Sequence, residues 1–154
     1  MSAHSAQAVI RRATSEDVTA VCNCAHAAYA RYVSAIGREP APMIADFGKQ
    51  IGAHDLWIAE IEGEVLGFIV FFRKHDTMFL ENVAVHPNHA GRGIGRQLIG
   101  FCEDEASNLG LKSVTLYTND KMIENLKIYP RLGYLETDRR DEDGFHRVYF
   151  KKRL

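Results

Sequence analysis

The chain has 154 residues, of which 46% are hydrophobic and 25% charged, a balance typical of a single globular domain spanning residues 1–154. The formal charge of −1 argues against a nucleic-acid surface, which needs a basic excess, but permits a local site for an anionic small ligand. Residues 1–12 lack the apolar core of a signal peptide, and no apolar run is long enough to span a bilayer. We therefore expect a cytoplasmic protein without a membrane partner.

The three cysteines are Cys22, Cys24 and Cys102. An odd count with two members only two positions apart is a poor disulfide framework, which favours reduced thiols. Cys22 and Cys24 have no second Cys or His cluster at a matching spacing, so we expect no metal site.

The first third of the chain predicts a short strand at residues 8–13 and a helix at 18–31, whose start is favoured by the hydroxyl and acidic side chains of residues 14–17. Residues 34–42 carry one glycine and two prolines and read as a loop, followed by a shorter helix at 43–51. Aromatic side chains in this region either belong to the core or line a ligand pocket; they are Tyr29, Tyr32 and Phe47.

The middle of the chain predicts an antiparallel meander and a long helix. Strands at residues 56–61 and 65–73 flank a tight turn, and a third strand at 77–86 ends at Pro87. Residues 93–109 form the helix, and Gly110 stops it. Its apolar stripe consists of Ile94, Leu98, Cys102, Ala106 and Leu109.

The last third predicts a strand at residues 113–118, a helix that begins after Asn119 or Asp120, a strand at 135–138, a charged turn at 139–144 and a final strand at 145–151. The complete order is β-α-α-β-β-β-α-β-α-β-β. We expect an α/β fold with a mixed, mostly antiparallel sheet, one parallel β-α-β crossover and helices on both faces.

The loop between the third strand and the long helix has the features of a phosphate site. Gly91, Gly93 and Gly95 alternate with other residues, and Arg92 and Arg96 add positive charge. Glycines let the backbone approach a ligand, and the first N–H groups of a helix have no internal partner. The triphosphate pattern GxxxxGK[ST] is absent. The dinucleotide pattern GxGxxG fails because Arg96 stands at the third glycine position.

Two motifs together resemble the GCN5-related N-acetyltransferase (GNAT) family. The run VAVHP at residues 83–87 followed by GRGIGRQL at 91–98 is similar to that family's acetyl-CoA-binding motif. The run IYPRLGY at 128–134 is similar to its second motif, a helix with a tyrosine followed by Leu-Gly-aromatic. The order of elements resembles the GNAT fold from about residue 9 to residue 150. One departure is Ala90, which stands where the family has Arg or Gln, so a side-chain contribution to cofactor binding is lost there.

The resemblance implies which residues hold the cofactor. The pyrophosphate would bind backbone N–H groups of the loop and helix start, namely Gly91, Arg92, Gly93, Ile94, Gly95 and Arg96. The pantetheine arm would lie along Val83, Ala84 and Val85 and pair with the backbone of the first and last of these, and Asn125 would contact the pantetheine or the cofactor sulfur.

Two side chains are candidates for catalysis, Tyr129 from the resemblance and Glu81 from its place in a largely apolar strand. Tyr129 matches the family's general acid for the thiolate leaving group, and its alternative role is a core tyrosine. Glu81 is the candidate base, acting directly or through water, and its alternative role is to anchor a cationic acceptor or pair with an arginine. It is expected on the face of the strand that carries Phe79, Val83 and Val85, where partial burial would raise its pKa.

The function this predicts is transfer of acetyl from acetyl-CoA to a primary amine, of a small molecule or a protein, by direct attack in a ternary complex. No cysteine is expected near the cofactor strand, which disfavours a covalent route. The alternatives are a non-catalytic acyl-CoA sensor or interaction domain, and a nucleotide-binding protein that uses the same loop. The acceptor is not readable from the sequence, and a homodimer through the last strands is suggested by resemblance.

Overall fold

The computed structural model describes residues 7–154; residues 1–6, part of the segment predicted to lack a signal-peptide core, lie outside them. Seven strands form one sheet in the order β1-β2-β3-β4-β5-β7-β6. Their bounds are Val9–Arg12 (β1), Leu56–Ile61 (β2), Glu64–Lys74 (β3), Thr77–Val85 (β4), Ser113–Asn119 (β5), Leu135–Glu142 (β6) and Phe145–Arg153 (β7).

Five α-helices connect the strands within the described range. They are α1 (Val18–Tyr29), α2 (Val33–Ile36), α3 (Phe47–Gly52), α4 (Ile94–Asn108) and α5 (Ile123–Arg131). Short 3₁₀ turns occur at Ser15–Asp17, Ala30–Tyr32, Ala41–Met43 and Pro87–His89. None of the helices in residues 7–154 is long and apolar enough to cross a membrane.

Helices cover both faces of the sheet, as predicted. Alternate residues of β3 belong to two separate clusters, since Ile69 packs with α4 and α5 and Phe68 packs with α1 and α3. The first cluster includes Leu98, Cys102, Leu116, Tyr129 and Val148. The second includes Val21, Cys24, Tyr29, Phe47 and Leu56.

The single parallel pair of the sheet, β4 with β5, is short. It joins Thr77, Met78 and Phe79 to Ser113, Val114 and Thr115, whereas β5 continues to pair with β7 as far as Asn119. All other neighbouring strands are antiparallel. The prediction of a mostly antiparallel sheet with one parallel crossover is confirmed, and beyond Phe79 the two parallel strands separate and leave a cleft.

The helix predicted at residues 43–51 begins later than expected. Residues 41–43 form a 3₁₀ turn, and α3 starts at Phe47 rather than at Met43. The Asp46 carboxylate accepts a hydrogen bond of 3.0 Å from the Lys49 N–H and so caps the helix at that point. The end of α4 also differs from the prediction, because the helix ends at Asn108 and Leu109, predicted in the buried stripe, is 57% exposed.

The charged stretch predicted as a turn is a strand. β6 runs from Leu135 to Glu142, and the turn is only Asp143 and Gly144, whose φ angles are 52° and 78°. β6 is the edge of the sheet and is exposed on both faces through Asp141. The strand predicted at residues 135–138 therefore continues for four more residues, which the sequence did not indicate because a strand without a buried face has no apolar alternation.

Candidate active site

The glycine loop exposes its backbone. Gly91 and Gly93 have φ angles of 79° and 76°, and a Cβ at either would meet nothing within 4 Å. The first helical hydrogen bond of α4 runs from the Gln97 N–H to the Gly93 carbonyl at 3.0 Å. The preceding N–H groups, of Ile94, Gly95 and Arg96, therefore have no acceptor inside the helix and can hold an anion.

The two arginines of the loop take different positions. Arg96 lines the large cavity described below, whereas Arg92 lies within 3.1 Å of the His89 ring. His89 in turn lies 3.2 Å from the Glu64 carboxylate. The Arg92 side chain does not line the cavity and is engaged with His89, so only the Arg92 backbone is available to an anion.

A cavity of about 840 Å³ begins at the loop and extends between α1 and α5. Most of the residues predicted to bind the cofactor line it: Val83, Ala84, Val85, Gly91, Gly93, Ile94, Gly95, Arg96 and Asn125. Ala90 also lines it and is exposed, and its N–H donates to the Pro87 carbonyl at 3.2 Å. Cofactor-binding candidates from the strand, the loop and the later helix thus surround one space.

The end of β4 presents free backbone to the cleft. The His86 N–H donates to the Leu66 carbonyl of β3 at 2.8 Å. Because backbone groups alternate in direction along an antiparallel pair, the N–H and C=O groups of Val83 and Val85 point away from β3. β5 has already separated at this level, so these groups face the cleft, where the Val83 carbonyl lies 3.1 Å from the Tyr29 hydroxyl.

Glu81 occupies a β-bulge. Leu80 pairs with Phe71 and Asn82 pairs with Val70, which leaves Glu81 as the extra residue of β4. The bulge reverses the alternation of the strand, so the expectation that Glu81 shares a face with Val83 and Val85 is wrong. Those valines pack with the α4 cluster, whereas Glu81 accepts a hydrogen bond of 2.8 Å from the Gln50 amide of α3.

The position of Glu81 affects its protonation. Burial raises the pKa of the carboxyl above its ordinary value, the Gln50 hydrogen bond opposes the rise, and the nearby charge of Asp55 adds to it. Since the side chain is only partly buried, it can lose its proton to solvent. A carboxylate that solvent can reach and whose pKa is raised is a better proton acceptor than one with an ordinary pKa.

A second cavity, of about 360 Å³, lies next to Glu81. Its walls come from the segment before α3, from α3, from β4 and β5, and from the start of β7. The residues that line both cavities are Tyr29, Val83, Asn125 and Tyr129. The structure therefore places two adjoining spaces on either side of one group of side chains.

Tyr129 lies at this junction. It is 5% exposed and packs against Tyr134 and Phe150, with ring centroids 5.6 and 5.7 Å away. Among the residues the structure describes, its hydroxyl makes no hydrogen bond. Burial raises the pKa of the phenol, so it is protonated at neutral pH and can donate to a ligand. Asn125, one turn earlier, donates to the Thr118 hydroxyl at 3.1 Å.

Three polar residues of the site were missed or left open by the sequence. The Tyr29 hydroxyl donates to the Asn82 side-chain oxygen at 2.6 Å, and the Asn82 amide donates to the Pro42 carbonyl at 3.0 Å. Asn82 is 4% exposed, and Gln50 holds Glu81. An asparagine within an apolar strand, directly after a glutamate, was the available indication of a buried polar contact.

The buried cysteines are unsuited to nucleophilic chemistry. Cys24 and Cys102 are 2% and 0% exposed. Burial raises the pKa of the Cys24 thiol to about 12 and also raises that of Cys102, so neither forms a thiolate readily. Within residues 7–154, no group of three or more His, Cys, Asp or Glu side chains could hold a metal ion.

The sequence matches one known protein family over most of its length. A model of the acetyltransferase (GNAT) family matches residues 8–134, a range that includes both the glycine loop and Tyr129. The chain belongs to the GNAT family. The fold and the family expected from the two motifs are thereby confirmed.

Several curated GNAT-related proteins are similar in sequence. The aminoglycoside N(6')-acetyltransferase type 1 of Salmonella typhimurium is 28% identical over 92 residues, which are 54% of this chain and 63% of that protein. The L-amino acid N-acyltransferase MnaT of Escherichia coli is 26% identical over 101 residues, 62% of this chain and 59% of that protein. The chain thus spans less than two thirds of the length of these relatives.

Solved GNAT structures share the fold. The PaiA N-acetyltransferase of Thermoplasma acidophilum, in complex with coenzyme A, has a TM-score of 0.79 at 15% identity and covers 97% of this chain and 100% of its own. The ribosomal-protein-S18-alanine N-acetyltransferase of Escherichia coli has a TM-score of 0.71 at 18% identity and covers 96% of this chain and 94% of its own.

Proposed function

We propose that the protein transfers an acetyl group from acetyl-CoA to a primary amine by direct attack in a ternary complex. The observation that carries this proposal is the pair of cavities that adjoin at Tyr29, Val83, Asn125 and Tyr129. One cavity has an anion cradle and the other a carboxylate, so a nucleotide thioester and an amine could be held together. Two solved structures of similar fold support the choice of cosubstrate. The PaiA N-acetyltransferase is in complex with coenzyme A, and an acetyltransferase from Bacillus anthracis is in complex with acetyl coenzyme A.

Backbone groups supply most of the proposed cofactor binding. We infer that the N–H groups of residues 91–96 hold the pyrophosphate, because the helix leaves those of residues 94–96 without acceptors and the positive φ of Gly91 and Gly93 opens the loop before it. Val83, Ala84 and Val85 line the path of the pantetheine arm, and the N–H groups of Val83 and Val85 can pair with its amides. Acetyl-CoA supplies an acyl group already activated as a thioester.

Glu81 is the proposed base. The attacking amine must lose a proton before or during the attack, and Glu81 can accept it directly or through a water molecule. The Gln50 hydrogen bond orients the carboxylate toward the smaller cavity. The partial burial that raises its pKa makes it a better proton acceptor than a fully solvated glutamate.

Val83 and Tyr129 act on the other atoms of the reaction. The Val83 N–H is placed to donate to the carbonyl oxygen as negative charge develops there. Tyr129, whose hydroxyl has no partner among the described residues, can give its proton to the sulfur as the carbon–sulfur bond breaks. Asn125 lies on the same side of α5 and can contact the sulfur or the pantetheine.

The names of the relatives include several classes of acceptor amine. They include enzymes named for aminoglycosides, for L-amino acids and for the alanine of a ribosomal protein. Small-molecule amines and protein amines are both compatible with the family. The acceptor must therefore be argued from the walls of the smaller cavity.

Calorimetric titration with acetyl-CoA and with NAD, followed by assays of CoA release with a panel of amines, tests the proposal. We expect binding of acetyl-CoA only, and release of CoA with at least one amine. A preference for NAD would contradict the cofactor assignment. Binding of acetyl-CoA without turnover of any amine would favour a non-catalytic acyl-CoA-binding domain instead.

A further inference from the structure

Arg147 of β7 is the one arginine that lines the smaller cavity among the described residues. Its side chain is 12% exposed. The guanidinium lies 4.4 Å from the centroid of the Tyr117 ring and 5.7 Å from that of Phe145. An arginine stacked on aromatic rings keeps the N–H groups at its edge available for hydrogen bonds.

The ion pairs of Arg147 leave most of these donors free. Nη1 lies 3.4 Å from the Asp143 carboxylate and 4.0 Å from that of Glu142. Glu142 is already held by the Tyr149 hydroxyl, and Asp143 is 82% exposed. In the described part of the chain, Nε and Nη2 make no hydrogen bond. A ligand carboxylate could accept two parallel hydrogen bonds there.

The opposite wall of the cavity is acidic. Glu81 and Asp46 line it together with Gln50, whose side-chain oxygen is buried without a partner. At the β7 wall a second cation, Arg38, stacks on Phe145 at 3.7 Å. The charged residues that line the cavity are therefore acidic near α3 and basic at β7, where the acidic partners of Arg147 lie outside the lining. Tyr117 lies on β5, between β4 and β7.

The cavity is small and bridged on one side. Arg38 lies in the segment before α3 and donates to the Asp143 carbonyl in the β6–β7 turn, so it links the two segments that contribute Pro40 and Phe145 to the lining. The cavity volume of about 360 Å³ is at the lower end of the range for sites that take whole small molecules. This size favours a compact acceptor over a polypeptide segment.

We propose that the acceptor is a small amine that also carries a carboxylate, such as an amino acid, with its carboxylate on Arg147 and its amine facing Glu81. This rests on the proposed acetyltransferase function and narrows it. The amine nitrogen forms a bond with the acetyl carbon, and the carbon–sulfur bond breaks. The substrate ammonium loses two protons in the course of the reaction, and Glu81 accepts the one that leaves during the attack. Tyr129 gives one proton to the sulfur. The net result is one proton released to solvent for each acetyl group transferred.

Matched substrates test the assignment. Each of several L-amino acids is compared with its carboxamide in an assay of CoA release. For the wild type we expect kcat/KM at least tenfold higher for the acid. In Arg147→Gln this preference should disappear through a higher KM for the acid, with little change for the amide. Arg147→Lys should retain part of the preference.

Arg140→Gln is the matched control, because Arg140 stacks on Tyr149 and pairs with Asp138 without lining the cavity. It should leave both substrates unchanged, and acetyl-CoA titration of the Arg147 variants checks that they are folded. Three outcomes would overturn the inference and still leave the protein an acetyltransferase. They are equal activity of the wild type on acids and amides, an equal loss of both activities in Arg147→Gln, and activity confined to spermidine, kanamycin or peptide N-termini. Absence of CoA release with every amine would overturn both proposals.

Discussion

Gln50 donates a hydrogen bond of 2.8 Å to Glu81, and this contact joins helix α3 to the bulge of strand β4. The two residues are 31 positions apart in the sequence. The bulge turns the Glu81 carboxylate toward α3, and Gln50 then fixes its direction. The proposed base thus depends on a helix that contributes nothing else to the chemistry.

Replacement of the base should change the pH profile of the reaction. The base works in its ionised form, so the wild-type rate should rise with pH through the pKa of Glu81, which burial raises above its ordinary value. In Glu81→Gln this decline of the rate toward low pH, the acidic limb of the profile, should disappear, and kcat should fall by about 10²-fold. The measurement is kcat/KM against pH at saturating acetyl-CoA, with Glu136→Gln on the exposed edge strand as control. A profile identical to that of the wild type would remove Glu81 as base.

Removal of the Gln50 amide should move the same limb. The hydrogen bond from Gln50 favours the ionised form of Glu81 and so lowers its pKa. Gln50→Leu should raise the pKa and displace the acidic limb to higher pH, with a smaller effect on the rate at alkaline pH. Lys49→Ala, exposed on the same helix, is the control. A limb that stays in place would show that Gln50 does not set the pKa.

Tyr129→Phe should separate catalysis from stability. The hydroxyl makes no hydrogen bond within residues 7–154, so its loss should change the free energy of unfolding by less than about 0.5 kcal/mol. Turnover should fall by about 10²-fold or more while the Kd for acetyl-CoA stays the same. The measurements are kcat, calorimetric Kd and Tm.

Tyr134→Phe is the converse control. The Tyr134 hydroxyl donates to Glu103 at 2.8 Å, and a hydrogen bond to a charged group contributes about 1.5–3 kcal/mol. This variant should be less stable but equally active per folded molecule. If Tyr129→Phe instead lowers Tm and leaves kcat unchanged, Tyr129 is a core residue.

Ala90→Arg should strengthen cofactor binding. Ala90 is exposed on the wall of the larger cavity and offers only its backbone. A guanidinium there could reach a phosphate, and a gain of about 1 kcal/mol corresponds to roughly fivefold in Kd. The calorimetric Kd for acetyl-CoA should fall, and the gain should shrink at high salt. Ala90→Leu, which adds bulk without charge, should show no gain; equal affinity for both variants would contradict the prediction.

Gly67→Ala should disturb the strand that carries Val83 and Val85. A Cβ at Gly67 would lie 2.6 Å from the Ala84 carbonyl, so β3 and β4 would have to shift. We expect a loss of about 1–3 kcal/mol in stability and weaker binding of acetyl-CoA. Gly100→Ala is the control, since nothing lies within 4 Å and alanine favours a helix by up to about 1 kcal/mol. Unchanged affinity in Gly67→Ala would show that the strand tolerates the shift.

Patterns local in sequence were sufficient for much of the fold. The stripe on α4, the alternation of β2 and the apolar run of β3 each extend over several residues, and the glycine loop is contiguous. The bulge at Glu81 was not predictable, because a period of two assumes an uninterrupted ladder. β6 was predicted only as far as residue 138, because an exposed edge strand has no apolar face that would show its full length. The contacts of Tyr29 with Asn82 and of Gln50 with Glu81 join residues 53 and 31 positions apart, and no local pattern encodes them.

The short pairing between β4 and β5 also has a mechanical consequence. Three residue pairs join a subsheet of β1 to β4 to a subsheet of β5 to β7. Beyond Phe79 no ladder hydrogen bonds of the described residues join the two subsheets, which are held together there by side chains of the cluster under α4. The amide protons of Val83 and Val85 should then exchange with solvent faster than those of Ala84, whose N–H points toward β3. A ligand that pairs with them would act as an additional strand and couple the two halves into one rigid body.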